Sequence, residues 1–159
     1  MKIPLLLTIG LAGCTGLGWS QTKISGAGKC DPPQAQQSLD VGDRTGHALL
    51  LVKQSCTWTT PIEMEGLKST TYMVSVMSDS STTKAQDNGY VVMTMDNGDK
   101  AFVHFRGTSV PGKSGEGTWS FTGGTGKLRG LTGKGTFKGD GQTDQVEGEY
   151  GIAAQKGKK

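Results

Sequence analysis

The chain is poor in the residues from which most reactive centres are built. Its 159 residues include two histidines and three cysteines. His47 and His104 lie far apart in sequence, with no cysteine or carboxylate at ligand spacing, so no metal site is implied. No cofactor motif stands either. A Gly-x-Ser-x-Gly elbow is absent, and no serine, histidine and acid can be ordered into a triad. Charge is scarce too. The formal net charge is +3 at pH 7, and Lys156, Lys158 and Lys159 crowd into the last residues. The remaining body is close to neutral, whereas a nucleic-acid partner requires a basic face. The tail, 154–159, reads as a solvated end. Sustained helical periodicity is missing, and no apolar run is long enough to span a bilayer.

The amino terminus has a recognisable form. Met1-Lys2 followed by Ile3-Pro4-Leu5-Leu6-Leu7 is a short basic region and an apolar region, so 1–20 reads as a secretory signal. Two exits compete. Gly18 and Ser20 are small residues placed for cleavage before Gln21. Leu11-Ala12-Gly13-Cys14 resembles the bacterial lipobox, which would end the signal at residue 13 and place a lipid on Cys14. The first is favoured because a signal of 13 residues is unusually short. The expectation is a periplasmic or extracellular protein, with a lipid anchor through Cys14 as the alternative. Cys30 and Cys56 then remain, and an even pair in an exported chain is expected to form a disulfide. Such a bridge stabilises by roughly 3–4 kcal/mol on the chain-entropy model.

Glycine is what the chain has in abundance, 26 residues in all. In 115–150, Trp119 and Phe121 alternate with Thr118, Ser120 and Thr122, the period of a half-buried strand. The run from Gly123 to Gly126 breaks it, and Leu128 and Leu131 fit a single helical turn. A strand follows around Thr136-Phe137-Lys138. In the last one, Val146, Gly148, Tyr150 and Ile152 alternate with Glu147, Glu149 and Gly151. Upstream, 47–59 places Leu50, Val52, Gln54, Cys56 and Trp58 on one face, and its apolar start is expected to be buried on both sides. Pro61 interrupts before a short strand at 62–65. Strands are expected at 70–77, 90–95 and 100–106, the last two joined across Asp96-Asn97-Gly98-Asp99. Residues 78–88 and 108–114 read as turn and loop. Residues 21–45, with Gly26, Gly28, Pro32-Pro33 and several glutamines, read as an irregular arm pinned at Cys30. The expected fold is all-β: a single closed antiparallel barrel of about eight strands over 46–153, its glycines marking bends in a curled wall.

Four stretches carry a resemblance. They are Asn97-Gly98-Asp99-Lys100, then Gly117-Thr118-Trp119-Ser120-Phe121-Thr122-Gly123-Gly124-Thr125-Gly126-Lys127, then Gly130-x-x-Gly133-x-Gly135-Thr136-Phe137, and Glu147-Gly148-Glu149-Tyr150. Together they resemble small exported bacterial proteins of the allene-oxide-cyclase-like barrel group. Plant dirigent proteins share a similar G-T-G-x-[FL]-x-G turn. The resemblance covers roughly 45–152 and implies an eight-stranded antiparallel barrel with an apolar lumen. Its characterised plant branches are a cyclase and a director of radical coupling. Their catalytic residues do not match this chain position by position, so those activities are not transferred.

Candidate site residues follow from a barrel with an apolar interior. Trp58, Tyr72, Trp119 and Tyr150 are core aromatics that would face a flat apolar ligand in the lumen. Glu63 with Glu65, and Glu147 with Glu149, share strand faces and read as a solvent-facing rim, or as paired carboxylates for acid–base work. His104 lines the lumen only if the Phe102 face of its strand points inward; the apolar residues Ala101, Val103 and Phe105 favour the opposite. Gly107-Thr108-Ser109-Val110-Pro111-Gly112-Lys113-Ser114 satisfies a P-loop pattern, but a strand follows where that loop needs a helix, so it reads as a hairpin. The expected function is binding of a small apolar or aromatic molecule. An isomerase or cyclase acting by substrate orientation is the alternative, and a ligand-free structural protein is the third. The sequence does not decide between a monomer and a homo-oligomer.

Overall fold

The computed structural model describes residues 21–139 and 143–153. The stretch read as a signal, with Cys14, and the basic tail lie outside the described residues. Nine strands account for most of the described chain: β1 Thr22–Cys30, β2 Ala35–Asp40, β3 Ala48–Met64, β4 Leu67–Ser80, β5 Ala85–Met95, β6 Lys100–Val110, β7 Ser114–Gly124, β8 Leu131–Gly139 and β9 Asp144–Ile152. One 3₁₀ turn, Gly126–Leu128, interrupts them. Every pairing is antiparallel, and the order runs β1-β9-β8-β7-β6-β5-β4-β3-β2 with a further β1–β3 ladder. That extra ladder closes eight strands into the expected barrel and leaves β2 outside, paired along the first half of β3. No helix among the described residues is long and apolar enough to cross a membrane.

The structure differs from the sequence reading at the amino-terminal segment. Residues 21–45 contain a barrel strand, β1, and the outer strand β2. The inward positions of β1 are Ile24, Gly26, Gly28 and Cys30, so a strand is present without the apolar alternation that announces one. The expected break at Pro61 is a bulge instead. β3 carries three extra residues between Thr57 and Ile62 relative to β4, and it bends there without ending. Residues 78–88 and 108–114 are mostly strand, with turns only at 81–84 and 111–113. The P-loop-like stretch is thus a hairpin, closed by the Lys113 amide donating to the Val110 carbonyl at 2.9 Å. The start of β3 is not buried on both faces, because β2 lies beside it and not over it. Leu49 and Leu51 remain exposed on the outer face.

Glycine has a second use that the bend argument does not cover. Several strand glycines point into the barrel and sit under a large side chain from a nearby strand. A Cβ on Gly135 or Gly148 would strike the indole of Trp119. One on Gly107 or Gly117 would strike the Phe137 ring, one on Gly89 the Phe105 ring, and one on Gly28 the Tyr72 hydroxyl. These rings therefore lie sideways across the wall. Trp119 reaches from β7 over β8 to β9, and Phe137 from β8 over β7 to β6.

Two local devices hold the ends of the sheet. Cys30 and Cys56, register partners across β1 and β3, form the expected disulfide and staple the closing seam. On the outer face, His47 lies between two carboxylates. Its Nδ1 pairs with Asp43, and its Nε2 is 2.8 Å from Asp79 on β4. The cluster ties the turn that follows β2 to the barrel wall. The hydrogen bond to Asp43, and then that to Asp79, raise the His47 pKa above the ordinary histidine value; the same contact, with Arg44 alongside, lowers that of Asp43.

Two predictions follow from these contacts. Gly135→Ala should cost about 2 kcal/mol by overpacking, read from the denaturant midpoint. Gly115→Ala should cost clearly less, because its Cβ would meet the Ser109 side chain at 3.3 Å and the Thr108 carbonyl oxygen at 3.6 Å, with nothing closer; equal losses would remove the close-approach argument. The His47 cluster should also make anchoring of β2 depend on pH. The raised histidine pKa contributes fully below about 6.5 and fades as pH rises through its folded value. The lowered Asp43 pKa contributes above about 3.9 and fades as pH falls through its own. Protection factors of the β2 amides, corrected for intrinsic exchange at each pH, should therefore be highest between those limits, and His47→Gln should abolish their decline on the alkaline side.

Candidate functional site

The barrel has a closed end and an open end. The hairpins at 65–66 and 96–99 and the 3₁₀ turn share one end by the antiparallel topology. Met64, Leu67, Met95, Leu128, Leu131 and Tyr150 belong to the buried core there, and Leu128 is fully buried. The Tyr150 hydroxyl accepts a hydrogen bond from the Glu65 amide at 3.2 Å. This layer makes a floor. Above it the interior is not filled: a cavity of about 400 Å³ runs to the opposite end, where the Val110–Gly115 hairpin forms part of the mouth. That volume lies within the range of small-molecule pockets.

The wall is apolar through its middle, with Val74, Val91, Met93, Val103, Phe105 and Phe121 among its residues. Polar groups gather towards the mouth: Gln54, Asp87, Ser109, Lys113 and Asp144. Asp87 accepts a hydrogen bond from the Ser78 hydroxyl at 2.5 Å. Trp58 and Tyr72 stack on one side with ring centroids 4.1 Å apart. Both line the cavity and both are more than nine-tenths buried. Neither the Trp58 Nε1–H nor the Tyr72 hydroxyl has a hydrogen-bond partner among the described residues. Burial first, and the charge of Asp144 second, push the Tyr72 pKa far above the ordinary tyrosine value, so its hydroxyl stays protonated. Trp119 contrasts with Trp58: its Nε1 donates to the Thr136 carbonyl at 3.0 Å.

Of the six candidate ligand residues, the structure brings Trp58, Tyr72 and Trp119 together on the lumen wall. Tyr150 is buried in the floor layer and does not line the cavity. Glu63 and His104 are corrections. Glu63 stands on the outer wall, 3.0 Å from Lys68. His104 also faces outward, beside Tyr90, with its Nε2 2.7 Å from Asn88 Oδ1. The reason lies in strand phase. Ala101, Val103 and Phe105 occupy the inner face of β6, which turns His104 and Arg106 to the outside. The sequence reading missed Asp87, Lys113 and Asp144 at the mouth. Their signal was positional: each lies at or beside a hairpin on the end opposite the Asn97-Gly98 turn, which counting hairpins alone would have revealed. Among the described residues, no three histidine, cysteine or acidic side chains gather as a metal site would require.

No family model and no curated protein matches the chain. Solved structures do. A conserved protein of unknown function from Rhodopseudomonas palustris superposes with a TM-score of 0.52 at 9% identity, over 82% of this chain and 97% of that one. A pterocarpan synthase dirigent protein gives a TM-score of 0.46 at 13% identity, over 96% of this chain and 100% of the other. At such identities the first likeness establishes a shared barrel fold and leaves the activity to be argued from the site.

The unmet Tyr72 hydroxyl generates a prediction for the empty barrel. Tyr72→Phe keeps the stack on Trp58 and removes a buried group without a partner. It should raise stability by about 1 kcal/mol, seen as a higher denaturant midpoint in protein freed of small molecules. A loss of similar size would mean that the hydroxyl is satisfied within the fold.

Proposed function

We propose that the protein binds a small apolar or aromatic molecule in the lumen of its barrel. The observation that supports this most directly is the apolar, open-ended cavity where an eight-stranded barrel has room to be packed solid. A filled interior would favour a purely structural role. The exit of Glu63 and His104 to the outer wall removes two acid–base candidates from the interior and favours binding over catalysis. The isomerase or cyclase reading now draws on Asp144 beside the Tyr72 hydroxyl. It ranks second, because the upward shift of the Tyr72 pKa opposes its use as a base near neutral pH.

Export belongs to the same proposal. The Cys30–Cys56 bridge suits an oxidising compartment, in keeping with the signal read at 1–20 and with either cleavage before Gln21 or a lipid on Cys14. A periplasmic or extracellular binder would meet its ligand without crossing the inner membrane.

Native mass spectrometry of protein purified from its own source should show a co-purifying mass that Val91→Trp, which fills the lumen, eliminates. The probe 1-aminoanthracene should bind the wild type and lose at least roughly tenfold in affinity in Val91→Trp, a difference of about 1.4 kcal/mol. Glu63→Ala and His104→Ala, on the outer wall, should leave both readouts unchanged. Probe binding that survives Val91→Trp would place the site elsewhere and end this reading.

A further inference from the structure

The two orphaned donors carry the reading of the lumen to the chemistry of its occupant. Trp58 and Tyr72 retain 8% and 6% of their exposure, and their polar atoms have no partner among the described residues. Leaving one buried donor unmet costs roughly 1–3 kcal/mol. Such omissions are few in a stable fold, and here two share one aromatic stack. Other buried aromatics with polar atoms are satisfied: Trp119 donates to a backbone carbonyl, and Tyr150 accepts from a backbone amide. The orphans are thus confined to the cavity wall. An indole nitrogen is a donor only, and a tyrosine that stays protonated keeps its hydrogen to give. The complement to this wall is an acceptor.

Charge narrows the acceptor further. Among the described residues, the acidic and basic side chains lining the cavity are Asp87 and Asp144 against Lys113. Asp144 lies close enough to the Tyr72 phenol for its charge to act on it. An anionic ligand would enter past a rim of its own sign, and its charge would be desolvated against an apolar wall. A pure hydrocarbon would leave both donors unmet. We propose that the occupant is a neutral compound whose apolar or aromatic body carries a carbonyl-type oxygen, to which Trp58 Nε1–H and Tyr72 Oη–H donate. This inference rests on the lumen-binding reading above and specifies its ligand class.

Three naphthalenes of similar size test it: 2-acetylnaphthalene with a neutral carbonyl, 2-ethylnaphthalene with none, and 2-naphthoate with a charge. Calorimetric titration of the full-length protein should rank the acetyl compound roughly tenfold or more above the ethyl one, as one or two neutral hydrogen bonds allow. The carbonyl stretch of the bound acetyl compound should move to lower wavenumber. Tyr72→Phe and Trp58→Phe should each shrink the acetyl-over-ethyl preference by roughly three- to tenfold and move the stretch back. If Trp58→Phe does not fold, Tyr72→Phe carries the test alone. Equal binding of the acetyl and ethyl compounds in the wild type would overturn the carbonyl assignment while the lumen-binding reading stands. Tightest binding of the naphthoate would overturn it in favour of an anion. Failure of all three to bind would defeat the lumen-binding reading itself, and the carbonyl assignment with it.

Discussion

Rings laid over glycines are the constraint on which the rest of this barrel depends. An eight-stranded barrel has an interior that ordinary side chains can fill. Here the largest inward side chains turn sideways. Trp119 covers Gly135 and Gly148, Phe137 covers Gly107 and Gly117, and Phe105 covers Gly89. Each ring needs a neighbouring strand without a Cβ, and each bare stretch of backbone needs a ring to shield it from the lumen. The result is a thin aromatic lining with the axis left open. The same contacts hold the register, because a slip of one residue would turn every ring to the outside.

The closing seam shows how little apolar surface one strand can contribute. β1 offers Ile24, two glycines and a cysteine to the interior, so its place is kept by ladder hydrogen bonds on both sides, by neighbouring side chains reaching over it, and by the disulfide. Ile62 from β3 lies over Gly26, and the Tyr72 hydroxyl from β4 lies over Gly28. β3 serves the same closure with the edge that faces away from β4: it pairs there with β2 along 48–53 and with β1 along 56–60. A bridge between Cys30 and Cys56 on that seam restrains a barrel strand with few large inward side chains to hold it.

Polarity is graded along the lumen. The floor is apolar and tightly buried, the middle is apolar with two unmet donors, and the mouth carries charge. Such a gradient orients whatever enters, apolar body first, with the mouth still hydrated. The outer wall is different in kind. Glu63, His104, Arg106, Glu147 and Glu149 sit there, dispersed among lysines and threonines, as expected of a solvated sheet face. Sorting these residues from the lumen is a matter of strand phase alone.

Much of this was legible in the residues. The Asn97-Gly98 hairpin, the alternation around Trp119 and Phe121, the single turn at Leu128 and the pairing of Cys30 with Cys56 rest on local geometry or on simple counting. An all-β closed barrel followed from them. What escaped was whatever depends on partners distant in the chain. β1 looked irregular because its inward residues are glycines whose covering side chains come from β3 and β4. His104 stayed ambiguous because a strand's two faces are equivalent until closure chooses one. Asp87, Lys113 and Asp144 came to line one mouth only when closure brought separate strand ends to the same rim. Turns and alternation are written in adjacent residues and need nothing else. Which faces look inward, and which ring rests on which glycine, is decided by a sheet that must join its first strand to its third, and no short window of sequence contains that condition.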